Sequence, residues 1–295
     1  MPCRAGAPYP RPSGKAIRSW PLALVVLGGC DLVFGVDSTY TPPTVDAAPD
    51  APPPVAGTPF ANITPVPGLV NTADEEDRPS LRADQLEMFF HRANDIYVTR
   101  RTALDASWST PTQVANVSTA AAEIHACVTG DGRTLYFTRS TNLHVATRAS
   151  LDAPWSAGTL MPNEVNTTGT ERCGYASDDG LELYFDTNFF TGERDIMRAT
   201  RLSPSTAWAS GRDPLDDPNA HDTAPWRDVA RAGYVFATTR GGTSFRIVEY
   251  VAETATFIEH PELGAAGTPW LSPDGRTIYF SRSNATQTDL FVATR

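Results

Sequence analysis

The stretch Ser272-Pro273-Asp274-Gly275-Arg276-Thr277-Ile278-Tyr279-Phe280 decides the fold. Asp-Gly is a tight-turn pair, because both residues tolerate the positive φ that a short hairpin needs. The residues after the turn alternate and close on an aromatic pair, the pattern of a half-buried strand. The unit recurs upstream. Gly130-Asp131-Gly132 precedes Thr134-Leu135-Tyr136-Phe137, and Asp178-Asp179-Gly180 precedes Glu182-Leu183-Tyr184-Phe185. Degraded copies are Leu86-Glu87-Met88-Phe89-Phe90 and Gly233-Tyr234-Val235-Phe236. The closing Phe repeats at intervals of 47, 48, 51 and 44 residues. A four-stranded propeller blade has a period of about 40–50 residues.

Working outward, each aromatic pair leads into a polar loop and a second alternating strand. Examples are Asp95-Ile96-Tyr97-Val98-Thr99-Arg100, Asp195-Ile196-Met197-Arg198 and Asp289-Leu290-Phe291-Val292. Arg101, Arg148 and Arg201 each stand seven residues before a Trp: Trp108, Trp155 and Trp208. Each Trp opens a weaker outer strand, and Phe257 takes its place in the fourth copy. The fifth copy stops at Arg295, one strand short. An unpaired outer-strand segment, Phe60 to Val66, precedes the first copy. Open ends would expose sheet edges. The reading is therefore an all-β fold: a five-bladed β-propeller of four-stranded blades, its N-terminal strand closing the last blade.

Ser272 to Phe280 together with Asp289-Leu290-Phe291 resembles the WD40-like (PD40) repeat of TolB-type propellers. The resemblance spans residues 60–295. It implies a periplasmic or cell-surface protein, often a lipoprotein, whose propeller serves protein interaction. It carries no shared catalytic residues. TolB itself usually has six blades, so five is a departure.

The front of the chain reads as an export signal. Arg4, Arg11, Lys15 and Arg18 precede an apolar run from Trp20 to Leu27, too short to span a bilayer. The run ends in Leu27-Gly28-Gly29-Cys30, which resembles a bacterial lipobox with Cys30 as the lipidated residue. Cleavage by an ordinary signal peptidase, with Cys30 incidental, is the alternative. Residues 30–58 hold Thr41-Pro42-Pro43 and Ala51-Pro52-Pro53-Pro54 and read as a stiff tether. The expected organisation is a signal peptide over 1–29, lipidated Cys and tether over 30–58, and the propeller over 59–295. Without the leader, 20 basic residues face 34 acidic ones, a net charge of −14. An acidic body repels phosphate backbones, so nucleic acid is not an expected partner.

Asp95, Asp195 and Asp289 repeat, and a repeated carboxylate is expected to accept backbone N–H bonds rather than a ligand. Glu76, Glu123, Glu171 and Asp222 precede the innermost strands. If they face the channel they can bind calcium or a basic peptide; the competing reading is loop acids satisfied within the blades. His125, Arg172, Trp226, Asp228 and Trp270 are non-repeated groups on the inner strands, where a specific ligand would touch. Cys127 and Cys173 lie on inner strands of adjacent blades, and can form a disulfide or remain two buried thiols. No zinc-ligand spacing, nucleophile elbow or phosphate loop occurs.

The expected function is an envelope-anchored lipoprotein that binds an envelope protein or glycan, more a binding module than an enzyme. No cofactor is expected apart from the calcium just considered, and contact with the membrane is through the lipid alone. The alternative is a glycoside hydrolase, whose two carboxylates would come from Asp228 with Glu123, Glu171 or Asp222.

Overall fold

The computed structural model describes residues 52–190, 192–228, 231–284 and 286–295. The leader and Cys30 lie outside the described residues. Twenty strands form five four-stranded antiparallel sheets. The closing strand is β1 (Ala61–Pro65). Blade 1 is β2 (Glu76–Leu81), β3 (Glu87–Arg92), β4 (Asp95–Arg100) and β5 (Thr112–Gln113). Blade 2 is β6 (Glu123–Val128), β7 (Thr134–Arg139), β8 (Asn142–Thr147) and β9 (Thr159–Leu160). Blade 3 is β10 (Glu171–Ala176), β11 (Glu182–Thr187), β12 (Asp195–Thr200) and β13 (Ala209–Arg212). Blade 4 is β14 (Asp222–Asp228), β15 (Gly233–Thr238), β16 (Arg246–Val251) and β17 (Thr256–Glu259). Blade 5 is β18 (Ala266–Leu271), β19 (Thr277–Ser283) and β20 (Thr288–Thr294), completed by β1.

The closure matches the sequence expectation. In β1, Ala61 pairs with Thr294, Thr64 with Val292 and Pro65 with Phe291. The amide of Val66 donates to the Leu290 carbonyl at 2.8 Å. The body also reaches back into the proline-rich stretch. Arg276 Nη2 donates to the Pro52 carbonyl at 2.7 Å and Arg231 Nη1 to that of Pro54 at 3.1 Å. Gly57 N donates to Glu249 Oε2 at 2.7 Å. Residues 52–58 thus lie on the propeller rather than standing free as tether.

The repeated residues hold the ring together. Phe90, Phe137, Phe185, Phe236 and Phe280 are fully buried between blades, each contributing about 1.5–3 kcal/mol of apolar burial. The Arg after each third strand does three things at once. Arg101, Arg148 and Arg201 lie 4.4, 4.5 and 4.3 Å from the Trp108, Trp155 and Trp208 ring centres. Their Nε atoms donate to Gln85, Gly132 and Gly180 carbonyls in the preceding turns. Their Nη1 atoms tie down the Leu104, Leu151 and Pro204 carbonyls. One side chain thereby fixes a turn, a loop and the outer edge of its blade. The outer strands themselves are short and exposed, which limits the edge open to unwanted pairing.

The repeated Asp residues differ from expectation. Asp195 accepts from Arg212 Nη2 and Asp289 from Gln287 Nε2, both at 2.7 Å. The backbone amides beside them go to the next connection instead: Ile196 N to Asp216 at 2.7 Å, Leu290 N to Asn71 at 2.8 Å, and, in blade 2, Leu143 N to Asn166 at 2.7 Å.

Every inner strand carries an irregularity in its pairing with the second strand. In four of them the third residue has positive φ: Arg78, His125, Ala224 and Thr268, between 47° and 54°. A bulge turns a side chain off the regular alternation. Blade 3 has Cys173-Gly174 there. A Cβ on Gly174 would stand 2.3 Å from the Pro225 carbonyl oxygen of blade 4, so only glycine permits that approach. Cys127 and Cys173 are joined in a disulfide, with Cα atoms 5.7 Å apart, linking blades 2 and 3 beside the axis.

Candidate functional site

All five inner strands run the same way, so their first residues share one end of the axis and their last residues the other. The channel is closed midway. Among the described residues, a void of about 10 Å³ lies between Arg78, Ser80, Ala126, Cys173, Ala224 and Thr268. Arg78 is the plug. Its side chain is 4% exposed and crosses from blade 1 to blades 3 and 4. Nη1 donates to the Cys173 carbonyl at 2.8 Å, and Nη2 to Asp186 Oδ2 at 2.8 Å and Thr223 Oγ1 at 2.9 Å. Asp186 also accepts from Thr223 Oγ1 at 2.6 Å and Ala224 N at 3.1 Å. Burial raises the Asp186 carboxyl, but Arg78, Arg172 and Arg194 outweigh it and hold the group below the usual carboxylate range.

The first end opens into a polar cavity of about 400 Å³, lined by Glu75, Asp77, Arg78, Arg172, Thr223, Thr268 and Ser281 among others. Asp77 accepts from Thr268 Oγ1 at 2.7 Å and from Arg78 N at 2.6 Å. Behind it His91 and His125 meet edge to face, ring centres 5.1 Å apart. Burial pushes both imidazoles down, His125 furthest, so both are neutral near pH 7. Arg172 stands in the wall with its Nε buried and unpartnered. Burial and the charges of Arg78 and Arg194 lower its guanidinium to about 10.

The other end opens into an apolar cavity of about 530 Å³. Tyr175, Trp226 and Trp270 form its wall. Tyr175 meets Trp226 edge to face at 5.2 Å, and Trp226 lies 5.6 Å from Trp270. Trp226 Nε1 donates to the Leu271 carbonyl at 2.9 Å, while Trp270 Nε1 is buried without a partner. Asp178, Asp179, Ser177, Arg227 and Ser272 supply polar groups around this wall. Burial and the neighbouring Asp131 raise the Asp178 carboxyl.

The sequence-derived candidates therefore separate into four places. Arg172 and His125 belong to the polar end, Trp226 and Trp270 to the apolar end. Glu76, Glu123, Glu171 and Asp222 do not face the channel: all four are fully buried inside their blades. Glu76 accepts from Thr72 Oγ1 at 2.6 Å and Arg92 Nε at 2.8 Å. Glu123 accepts from Thr119 N at 2.9 Å and Arg139 Nε at 2.6 Å. Glu171 accepts from Thr187 Oγ1 at 3.1 Å, and Asp222 from Asp217 N at 2.9 Å and Arg240 Nε at 3.1 Å. They are blade locks, so the calcium set built from them does not form. Asp228, buried at the end of β14, pairs with Arg231, Nε to Oδ2 at 2.5 Å. The four carboxylates considered for glycoside hydrolysis thus each have separate local partners and converge on no common point.

Sequence reasoning misses Glu75, Asp77, Arg78, His91 and Asp186, although a signal for two of them exists. His91, Thr138, Asp186, Ala237 and Ser281 each follow the repeated Phe. A variable residue directly after an invariant packing residue points to the opposite face, here toward the axis.

The chain matches no protein-family model and no curated protein. Its likeness is to solved folds. A putative TolB from Agrobacterium tumefaciens superposes with a TM-score of 0.52 at 14% identity, over 76% of this chain and 77% of that one. The fold is a five-bladed β-propeller, similar to the propeller of that TolB. TolB from Acinetobacter baumannii gives 0.48 at 11% identity, over 77% of this chain and 56% of that one. A microbial sialidase, Hz136, gives 0.43 at 12% identity, over 74% and 52%. At such identities the likeness shows the fold alone.

Proposed function

We propose that this chain is an exported, lipid-anchored binding module of the bacterial envelope. It seats a sugar ring or apolar side chain of an envelope glycan or protein in the aromatic end of its propeller axis. One observation carries the reading. The repeated residues are consumed in holding blades together, while aromatic residues that break the repeat gather around an open cavity of about 530 Å³. A mostly apolar wall with a few polar groups is the usual make-up of a ligand pocket. Tyr175, Trp226 and Trp270 offer rings for stacking, and Asp178, Ser177 and Ser272 offer hydrogen bonds at the edge.

Tryptophan fluorescence tests the reading, because Trp226 and Trp270 stand in the cavity wall. Titration with fractionated envelope glycans and peptides is expected to give a saturable change with one fraction, reduced at least tenfold in affinity by Tyr175→Leu. No response to any fraction overturns the reading. For the anchor, Cys30→Ser is expected to move the protein from membrane to soluble fractions and abolish palmitate labelling. Unchanged labelling overturns that part.

A further inference from the structure

The opposite, polar end of the axis carries an inference independent of the ligand reading above. We propose that Glu75, Asp77 and His91 bind a first-row divalent metal ion, Zn²⁺ or Mn²⁺, at the inner wall of the polar cavity.

The three residues each present a ligand atom, and these atoms all lie within 4.8 Å of one another. Bonds of about 2.0–2.2 Å place ligand atoms about 3.0–4.3 Å apart around one ion. The remaining contraction falls to Glu75, whose side chain is exposed and can swing inward. The other two are fixed by the fold. Asp77 and His91 stand directly opposite each other across the β2–β3 ladder. Thr268 Oγ1 and the Arg78 amide both donate to Asp77 Oδ1, and the Ser281 hydroxyl also donates to this carboxylate, which together orient it toward the cavity. Such outer donors are what hold ligands in metal sites.

A second observation points the same way. His91 is 5% exposed, and its Nδ1 is buried without a hydrogen-bond partner. His125, 7% exposed and packed on the His91 ring, also has an unpartnered Nδ1. Buried polar atoms are ordinarily satisfied. An unsatisfied His91 ring nitrogen beside two carboxylates marks a group still to be bound.

The donor set selects the ion. One imidazole with two carboxylates suits zinc or manganese, while calcium takes six to eight oxygens. Glu75 and Asp77 line a cavity of about 400 Å³, so the open coordination positions face solvent. Arg78 does not oppose the ion strongly, because Asp186 already pairs with it at 2.8 Å. Arg172 is the other cation among the described residues lining this cavity. It would attract an anionic oxygen to the open coordination positions.

The full chain, purified in detergent and stripped with a chelator, is titrated with ZnCl₂ and with MnCl₂ by calorimetry, and manganese is followed by EPR. One ion per chain is expected for at least one metal. Glu75→Gln is expected to weaken binding about tenfold, and Asp77→Asn or His91→Gln at least a hundredfold. His221→Ala, which removes an exposed His221–Glu193 contact, is expected to change nothing. Should the buried variants fail to fold, Glu75→Gln alone decides, since it changes an exposed side chain. No binding by the native chain at millimolar metal overturns the proposal. So does binding that Glu75→Gln leaves untouched.

Discussion

Arg295, the last residue, lies with its guanidinium carbon 4.3 Å from the ring centre of Phe60, the residue just before the closing strand. This is the fifth blade's version of the Arg–Trp contact in blades 1 to 3, assembled here from the two ends of the domain. Its Nε donates to the Gly275 carbonyl at 2.7 Å, as Arg148 does to Gly132. Its Nη2 adds a bond to Glu249 of blade 4 at 2.6 Å. The ring is therefore sealed by a side-chain lock as well as by backbone pairing.

Phe60→Ala removes a ring that is 3% exposed and should cost about 3–5 kcal/mol, as for other large-to-alanine core changes. Deleting residues 52–66 should cost more and expose the β20 edge. Urea unfolding gives the first value, and light scattering reports aggregation through the freed edge. A deletion variant as stable and monomeric as the native chain would refute side-chain and strand closure together.

Reduction of Cys127–Cys173 should lower unfolding free energy by about 4 kcal/mol or less. The bridge spans 46 residues in sequence, and chain-entropy reasoning scales with that loop. Urea midpoints with and without reductant measure it.

The Arg78–Asp186 pair is buried on both sides, at 4% and 0% exposure. Asp186→Asn leaves a buried guanidinium under-compensated and should cost about 3–5 kcal/mol. Replacing both partners with apolar residues of similar volume should recover much of that loss. A double-mutant cycle reports the coupling.

The contribution of the two axial histidines to stability should fall from about pH 6.5 downward. His91 and His125 are both held below their ordinary value of 6.5. Between the folded and unfolded values the unfolded chain binds more protons, so stability falls as pH falls. It is fully present above pH 6.5. Asp186, also lowered, extends the loss below its ordinary value of 3.8. His125→Gln should flatten the upper part of the profile, read from unfolding at pH 5 and pH 8.

The blade count and the closure are legible in the sequence because the Asp-Gly turns and closing Phe residues repeat, and repetition averages over local noise. The axis is harder to read. Glu76, Glu123, Glu171 and Asp222 stand at the starts of inner strands and so invite a place in the channel, yet their repetition is itself the sign of a structural role. Each sits five or four residues after Asp217 or a Thr that caps it. His91 and Asp186 are hidden because they belong to strands whose visible signal is the packing face. Their direction depends on alternation relative to Phe90 and Phe185. The bulge at Arg78 and His125 reverses the expected direction in the inner strand, and no local propensity announces a non-glycine residue at positive φ.

The central claim is that repeated residues hold the ring and repeat-breaking residues at the axis bind. Arg148→Ala and Tyr175→Leu, compared side by side for unfolding free energy and for ligand affinity by fluorescence, test it most directly. Arg148 pairs with buried Glu87, so its loss should cost about 3–5 kcal/mol with affinity retained in the folded fraction. Tyr175→Leu should cost about 1 kcal/mol and weaken binding at least tenfold. The opposite assignment, with affinity lost in Arg148→Ala and kept in Tyr175→Leu, would contradict the account.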